Sequence, residues 1–263
     1  MADRIETPSK SQLKRWGKLT IEKYRRREGL FLAEGVKVVG ELLRSGRRLE
    51  ALLVCEEKAG RWEALLAEAP TEIGIYRLSN REWEALSQDA APEGVMAVAV
   101  MATPPDPALF PETRGPLLLL YQVNNPNNLG ALLRTADWFG FRTVFLSPGS
   151  VEATNPKVVR TSMGSLFHLT VVEDCDFEQF LPRLRGRFHV VGSEVREGIS
   201  PHPCAVATAL LMGSESHGLP ASLLDLTDER WRIPGKGGAD SLSLPQAAAV
   251  MMYECTREMD RGR

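Results

Sequence analysis

The feature that most constrains this chain is the apolar run Leu117-Leu118-Leu119-Leu120-Tyr121-Gln122-Val123, followed at once by Asn124-Asn125-Pro126-Asn127-Asn128-Leu129-Gly130. A short apolar run bounded by turn residues reads as a buried strand. The residues that follow predict a helix, because Leu129, Leu132, Leu133, Ala136 and Phe139 recur at three- and four-residue steps and form one apolar face. Arg134 points away from that face and is available to solvent, a partner chain or a phosphate. Asn128 falls near the helix start, where amides cap well. The simplest account of this segment alone is one helix cap and one exposed arginine. Yet α/β proteins place their chemistry at the carboxyl ends of strands. The glycine fingerprint of dinucleotide binders and the Lys-Ser/Thr phosphate loop are both missing here, which excludes a dehydrogenase of the NAD type.

The same alternation of strand and helix continues to the carboxyl end. Strands are expected at 117–123, 142–146, 168–172, 188–193, 208–212 and 229–233. Helices are expected at 128–139, 155–165, 176–185, 220–225 and 242–259. This pattern predicts an α/β domain over 117–263 with a mostly parallel sheet and helices on both faces. Prolines at 104, 105, 107, 111 and 116 mark residues 102–116 as a linker. Before it, residues 1–101 read as a smaller α/β domain. A basic amino-terminal helix leads into Phe31-Leu32-Ala33-Glu34-Gly35. Helices follow at 36–45, 60–68 and 80–87, and strands at 49–54, 73–78 and 95–100.

The net charge of −2 conceals a strong asymmetry. Residues 1–48 carry 13 Lys/Arg against 6 Asp/Glu, whereas residues 49–115 carry 5 against 12. Lys14, Arg15, Lys18, Arg25, Arg26 and Arg27 concentrate the positive charge and are the candidate RNA-binding residues, with Trp16, Tyr24 and Phe31 among them. A basic stripe with aromatics is the electrostatic footprint of a nucleic-acid binder; a solvated helix face gives the same pattern. The cysteines at 55, 175, 204 and 255 are far apart, with no metal spacing, and read as free thiols of a reducing cytosol. The histidines form no HExxH pattern, so no metal is expected. No apolar stretch is long enough to span a bilayer, and no signal peptide is recognisable.

Two further loops stand out. Leu210-Leu211-Met212-Gly213-Ser214-Glu215-Ser216-His217-Gly218-Leu219 ends an apolar strand in a glycine, then presents an acid in a glycine-closed loop. Ile233-Pro234-Gly235-Lys236-Gly237-Gly238-Ala239-Asp240-Ser241-Leu242-Ser243-Leu244-Pro245 feeds the last helix, with Pro245 suited to its first turn and Ser243 or Leu244 to its cap.

Together, Asn125-Pro126-x-Asn128-x-Gly130-x-x-x-Arg134, Gly213-x-Glu215-x-x-Gly218-Leu219 and Ile233-Pro234 with Ser241-Leu242, Ala247-Ala248-Ala249 and Tyr253-Glu254 resemble the three motifs of the SpoU (TrmH) family of RNA 2′-O-ribose methyltransferases, in the SPOUT superfamily. The resemblance extends to the basic amino-terminal part, which is similar to that family's substrate-binding domain. It implies a deep trefoil knot in the carboxyl-terminal domain, a homodimer, and S-adenosylmethionine as cofactor. It implies that Gly213, Ile233, Leu242 and Ser243 bind the cofactor, and that Asn128, Arg134, Glu215 and Ser241 form the reactive group. The expected substrate is ribosomal RNA of the 23S type, or transfer RNA, in the cytoplasm. Four positions depart from the family: Asn127 replaces a usual Gly, Ser243 a usual Asn, and Pro245-Gln246 small residues. The rival reading is a non-catalytic RNA-binding or ribosome-assembly protein with a degenerate SPOUT domain.

Overall fold

A computed structural model describes residues 4–103, 115–204 and 207–258. Most of the expected linker, at 104–114, lies outside the described residues. The amino-terminal part begins with β1 (Ile5–Glu6), α1 (Lys10–Gly17) and α2 (Glu22–Glu28). β2 (Leu30–Glu34), α3 (Val36–Arg44), β3 (Leu49–Cys55) and α4 (Glu63–Ala67) follow. β4 (Gly74–Leu78), α5 (Asn80–Glu84) and β5 (Val95–Val100) complete this part. Its sheet has the order β1-β4-β3-β5-β2. β4 is parallel to β1 and β3, and β5 is antiparallel to β3 and β2.

The expected single basic helix is in fact two. A 3-10 turn at Lys18–Thr20 and an extended Ile21 (φ −108°, ψ 127°) separate α1 from α2. α1 opens with a capping box, in which the Gln12 side chain accepts from the Ser9 backbone and the Ser9 hydroxyl accepts from Gln12 N–H. Gly29, at φ 64°, closes α2 in the left-handed conformation that glycine tolerates best. The two-residue β1 was not anticipated, since so short an edge strand carries no periodicity.

The second part contains β6 (Leu117–Leu120), α6 (Pro126–Trp138), β7 (Thr143–Leu146), α7 (Pro156–Thr161), β8 (Thr170–Val172), α8 (Phe177–Phe180) and β9 (His189–Ser193). It ends with β10 (Thr208–Met212), α9 (Ala221–Leu224), β11 (Glu229–Trp231) and α10 (Leu244–Thr256). All six strands are parallel, in the order β11-β9-β10-β6-β7-β8. The four leucines of β6 are fully buried, as expected for a central strand covered on both faces. One face packs Leu117, Leu119, Phe145, Val190, Ala209 and Leu211 against α8 and α9.

The chain forms two compact units. The first contains residues 1–103 together with Thr154–Phe167, and the second contains the remainder. α7 and the turn after it therefore belong with the first sheet. There Phe167 lies 6.5 Å from Phe31 between ring centroids, and Arg160 is 3.3 Å from Asp89.

Two local expectations are corrected. The strand expected over 117–123 ends at Leu120, because Gln122 adopts φ 50° and leaves the sheet. Its N–H donates to Ser147 Oγ at 2.8 Å, and Val123 N–H donates to Ser150 Oγ at 3.2 Å, so side chains replace the sheet ladder. The cap of α6 is Asn125, whose side chain accepts from Asn127 N–H at 2.9 Å, with Pro126 in the first turn. Asn128 is the third residue of the helix, and its side-chain amide reaches a partner outside it.

Candidate active site

The site lies where neighbouring parallel strands send their chains in opposite directions. β6 leads through α6 to β7 on one side, and β10 leads through α9 to β11 on the other. Such a switch point, at the carboxyl ends of the strands, is the usual ligand position in an open α/β sheet. Asn128, after β6, donates its side-chain N–H to Glu215 Oε2, after β10, at 2.7 Å. Two motifs 87 residues apart in sequence thus meet through one hydrogen bond.

The Glu215 loop is shaped by its two glycines. Ser214 and Gly218 exchange backbone hydrogen bonds of 3.1 and 2.9 Å, and Gly218 sits at φ 66°. Gly213 is needed for space: a Cβ there would lie 2.3 Å from the Gly218 carbonyl carbon and 2.5 Å from Leu219 N. No side chain can occupy that gap. The loop is pinned from behind by Gly213 N–H donating to Ser193 Oγ at 3.3 Å.

The third motif leaves β11 at the same sheet edge. Ile233 is half-buried, Ser241 is exposed, and Leu242 is 48% exposed. Ser243 is the cap of α10: the Gln246 side chain accepts from Ser243 N–H at 3.3 Å and from its hydroxyl at 3.0 Å. The departures at Ser243 and Gln246 therefore serve each other as a capping box, and they leave the Asn128–Glu215 pair untouched. Arg134 is exposed on α6, opposite the buried Leu129, Leu132, Leu133 and Ala136. Among the described residues, nothing joins Arg134 or Ser241 to the Asn128–Glu215 pair.

A cavity of about 230 Å³ that the sequence did not reveal lies at the carboxyl ends of β6 and β7, with Tyr121, Gln122, Ser147 and Phe177 among its walls. The left-handed turn at Gln122, which helps to shape it, leaves no mark in residue type.

The basic stripe is only partly an open surface. Arg25 is 2% exposed and donates to the Leu19 carbonyl at 2.6 Å, so it is a core residue and not an RNA contact. Burial of one residue in a seven-residue helix cannot be seen in a run of three arginines. Arg15 bridges Glu28 (2.9 Å) and Glu50 (2.8 Å), which raises its pKa through the Glu28 hydrogen bond. Lys14 is exposed, Lys18 lies 5.1 Å from the Tyr24 ring centroid, and Arg26 and Arg27 make exposed pairs with Glu22 and Glu28. Such surface pairs are weak and exchange readily for a phosphate. Among the described residues, no group of three His, Cys, Asp or Glu could hold a metal, and no helix is long and apolar enough to cross a membrane.

A covered parallel sheet with polar loops converging at its switch point defines an α/β protein that binds its ligand at the strand ends. Comparison with known proteins narrows the class. Residues 116–253 match the SpoU rRNA Methylase family, and residues 10–97 match the MRM3-like substrate binding domain. The chain belongs to the SpoU rRNA methylase family. It is 32% identical to the 23S rRNA (guanosine(2553)-2′-O)-methyltransferase RlmP of Bacillus subtilis, over 95% of this chain and 97% of that enzyme. The SpoU methyltransferase AviRb of Streptomyces viridochromogenes, solved in complex with the cofactor AdoMet, matches with a TM-score of 0.83 at 25% identity, over 97% of this chain and 100% of that one. An AdoMet-bound rRNA methyltransferase from Sinorhizobium meliloti matches with a TM-score of 0.84 at 25% identity, over 97% and 99%.

Proposed function

We propose that this protein methylates the 2′-oxygen of a ribose in RNA, with S-adenosylmethionine as methyl donor and ribosomal RNA of the 23S type as substrate. The observation that carries the reading is the Asn128–Glu215 hydrogen bond, which joins two motifs at the switch point of the sheet. Family membership and the AdoMet-bound relatives support it.

The third-motif loop and the Gly213 turn fit the cofactor. Gly213 lets backbone approach backbone with no side chain between, and Leu242 and Ile233 offer apolar surface that the protein itself leaves uncovered. An adenine ring would cover it. When bound, the cofactor supplies an electrophilic methyl on a sulfonium. The chain's own task is alignment and charge. With one amide hydrogen held by Glu215, the Asn128 carboxamide has a fixed orientation, and its remaining donor and acceptor can hold the ribose hydroxyl. Arg134 is assigned to the adjacent phosphate, where its guanidinium stabilises the developing alkoxide. Ser241 supplies a further hydroxyl at the same edge.

The first unit grips RNA through Lys14, Lys18, Arg26 and Arg27, with the half-buried Tyr24 as a stacking platform; Trp16 and Phe31 are buried in the core and take no part. Two copies of the chain associate through α6 and α10. There Trp138 is 84% exposed, Tyr253 52% and Val250 39%, and the Phe139 and Tyr253 ring centroids lie 6.3 Å apart with the rings tilted by 59°. That uncovered apolar group supports a homodimer in which Arg134 serves a shared site. The family resemblance further supports a trefoil knot within 117–263, and the free thiols support a cytoplasmic location. Titration calorimetry with S-adenosylmethionine tests the reading at its base: binding in the micromolar range is expected, and no heat at any concentration would overturn it.

A further inference from the structure

We infer that Cys204 and Cys255 form a peroxide-reactive thiol pair that closes into an intramolecular disulfide.

The two residues come together from opposite ends of the catalytic segment. Cys204 precedes β10, and Cys255 lies in the last turn of α10. The Cys204 backbone N–H donates to the Cys255 carbonyl at 3.1 Å. That bond holds the two backbones side by side, so that the two cysteines are within reach of a disulfide. The two sulfurs are also near enough to perturb each other's titration, Cys204 downward and Cys255 upward. Among the described residues neither of the other thiols has such a neighbour: Cys55 is buried against Asn80 Oδ1 at 3.2 Å, and burial pushes the Cys175 thiol up to about 12.

The surroundings favour a thiolate at Cys204. His202 and His189 are both held by Glu229, at 3.1 and 3.5 Å, and positive charge there favours the Cys204 thiolate. The carbonyl of Pro203 and the Glu229 carboxylate keep His202 more protonated than an ordinary histidine. The Cys255 thiol and this positive charge hold Cys204 below the usual thiol range, while Cys255 itself is held above it. Cys204 is partly exposed and Cys255 is buried. That is the arrangement of an attacking and a resolving cysteine.

The chemistry balances with hydrogen peroxide as oxidant. The Cys204 thiolate attacks one peroxide oxygen, the O–O bond breaks, and hydroxide leaves and takes a proton to become water. Cys204 is then a sulfenic acid. Cys255 loses its proton, its sulfur attacks the Cys204 sulfur, and the S–O bond breaks with release of a second water. Two thiols are oxidised, one peroxide is reduced, and the ring closed by the disulfide contains Gly213, Glu215, Ser241, Leu242 and Ser243. Oxidation therefore staples α10 to the start of β10 around the whole cofactor-binding stretch.

The test treats the full chain with a few equivalents of hydrogen peroxide, blocks remaining thiols, and maps peptides without reduction. The expected product has lost the mass of two hydrogens, carries one Cys204–Cys255 cross-link, and melts roughly 10 °C higher than the reduced chain until dithiothreitol restores it. In the reduced protein, iodoacetamide at pH 7 labels Cys204 at least about tenfold faster than Cys175. Cys204→Ser and Cys255→Ser each abolish the cross-link. A cross-link through Cys55 or Cys175, sulfinic acid at Cys204 with no cross-link, or equal labelling rates at Cys204 and Cys175 would overturn the inference; the wild-type measurements need no variant to fold.

Discussion

Asn128 and Glu215 are held 2.7 Å apart by a hydrogen bond between the loops of two adjacent parallel strands, β6 and β10. Glu215 is exposed and Asn128 only half-buried, so neither is needed to fill a core. The pair behaves as a unit that orients one carboxamide. Asn128→Ala and Glu215→Ala are each expected to lower kcat by roughly 10–100-fold, the cost of a misplaced reacting group, with little change in Tm. The double variant is expected to be no slower than the worse single one, because either change removes the same contact. Single-turnover methylation kinetics on the four proteins check this; additive losses would show that the residues act separately.

Gly213→Ala tests the backbone approach. Its Cβ would lie 2.3 Å from the Gly218 carbonyl carbon, so the loop must move. We expect a loss of about 2 kcal/mol or more and a Tm lower by roughly 5 °C. S-adenosylmethionine binding should weaken with it, read by calorimetry. Gly235→Ala is the control, since a Cβ there meets nothing within 4 Å.

The basic stripe divides into two kinds of arginine, and mutation separates them. Removing the buried Arg25 leaves the Leu19 carbonyl without its donor, at a cost of about 2–3 kcal/mol. Arg25→Ala should therefore lower Tm while the salt slope of RNA binding stays unchanged. Lys14→Ala, Arg26→Ala or Arg27→Ala should leave Tm nearly constant and reduce that slope by about 1 each. Filter binding across a salt series, together with melting curves, separates the two groups.

Much of this was legible in the sequence, and for identifiable reasons. The leucines of β6 and the 3.6-residue spacing of Leu129, Leu132, Leu133 and Ala136 announce a buried strand and an amphipathic helix, and both are found. The cap of α10 at Ser243 was one of two residues expected. Asn125, rather than Asn128, caps α6 because a run of asparagines offers several candidates and Pro126 decides among them. The end of β6 was misplaced because Gln122 turns left-handed with no glycine to mark it. The burial of Arg25 and the packing of residues 154–167 with the first unit depend on contacts distant in sequence, which residue spacing does not encode.

Association of two copies through α6 and α10 predicts that Trp138→Arg yields a monomer by sedimentation, because Trp138 is 84% exposed. Burial of the chain's other cores does not involve Trp138, so the monomer should keep its far-UV spectrum. If Arg134 serves a shared site, the monomer also loses turnover. A dimer that persists would place the interface elsewhere.

The central claim is that Arg134, exposed on α6, serves methyl transfer to a ribose. Its most direct test is transfer from labelled S-adenosylmethionine to total RNA of cells lacking this gene, followed by mapping of 2′-O-methyl positions. A single new ribose methyl in the large ribosomal RNA, made by the wild type and abolished by Arg134→Ala with Tm unchanged, is the predicted result. Full transfer by Arg134→Ala, or no transfer by a wild-type protein that still binds the RNA, would contradict it.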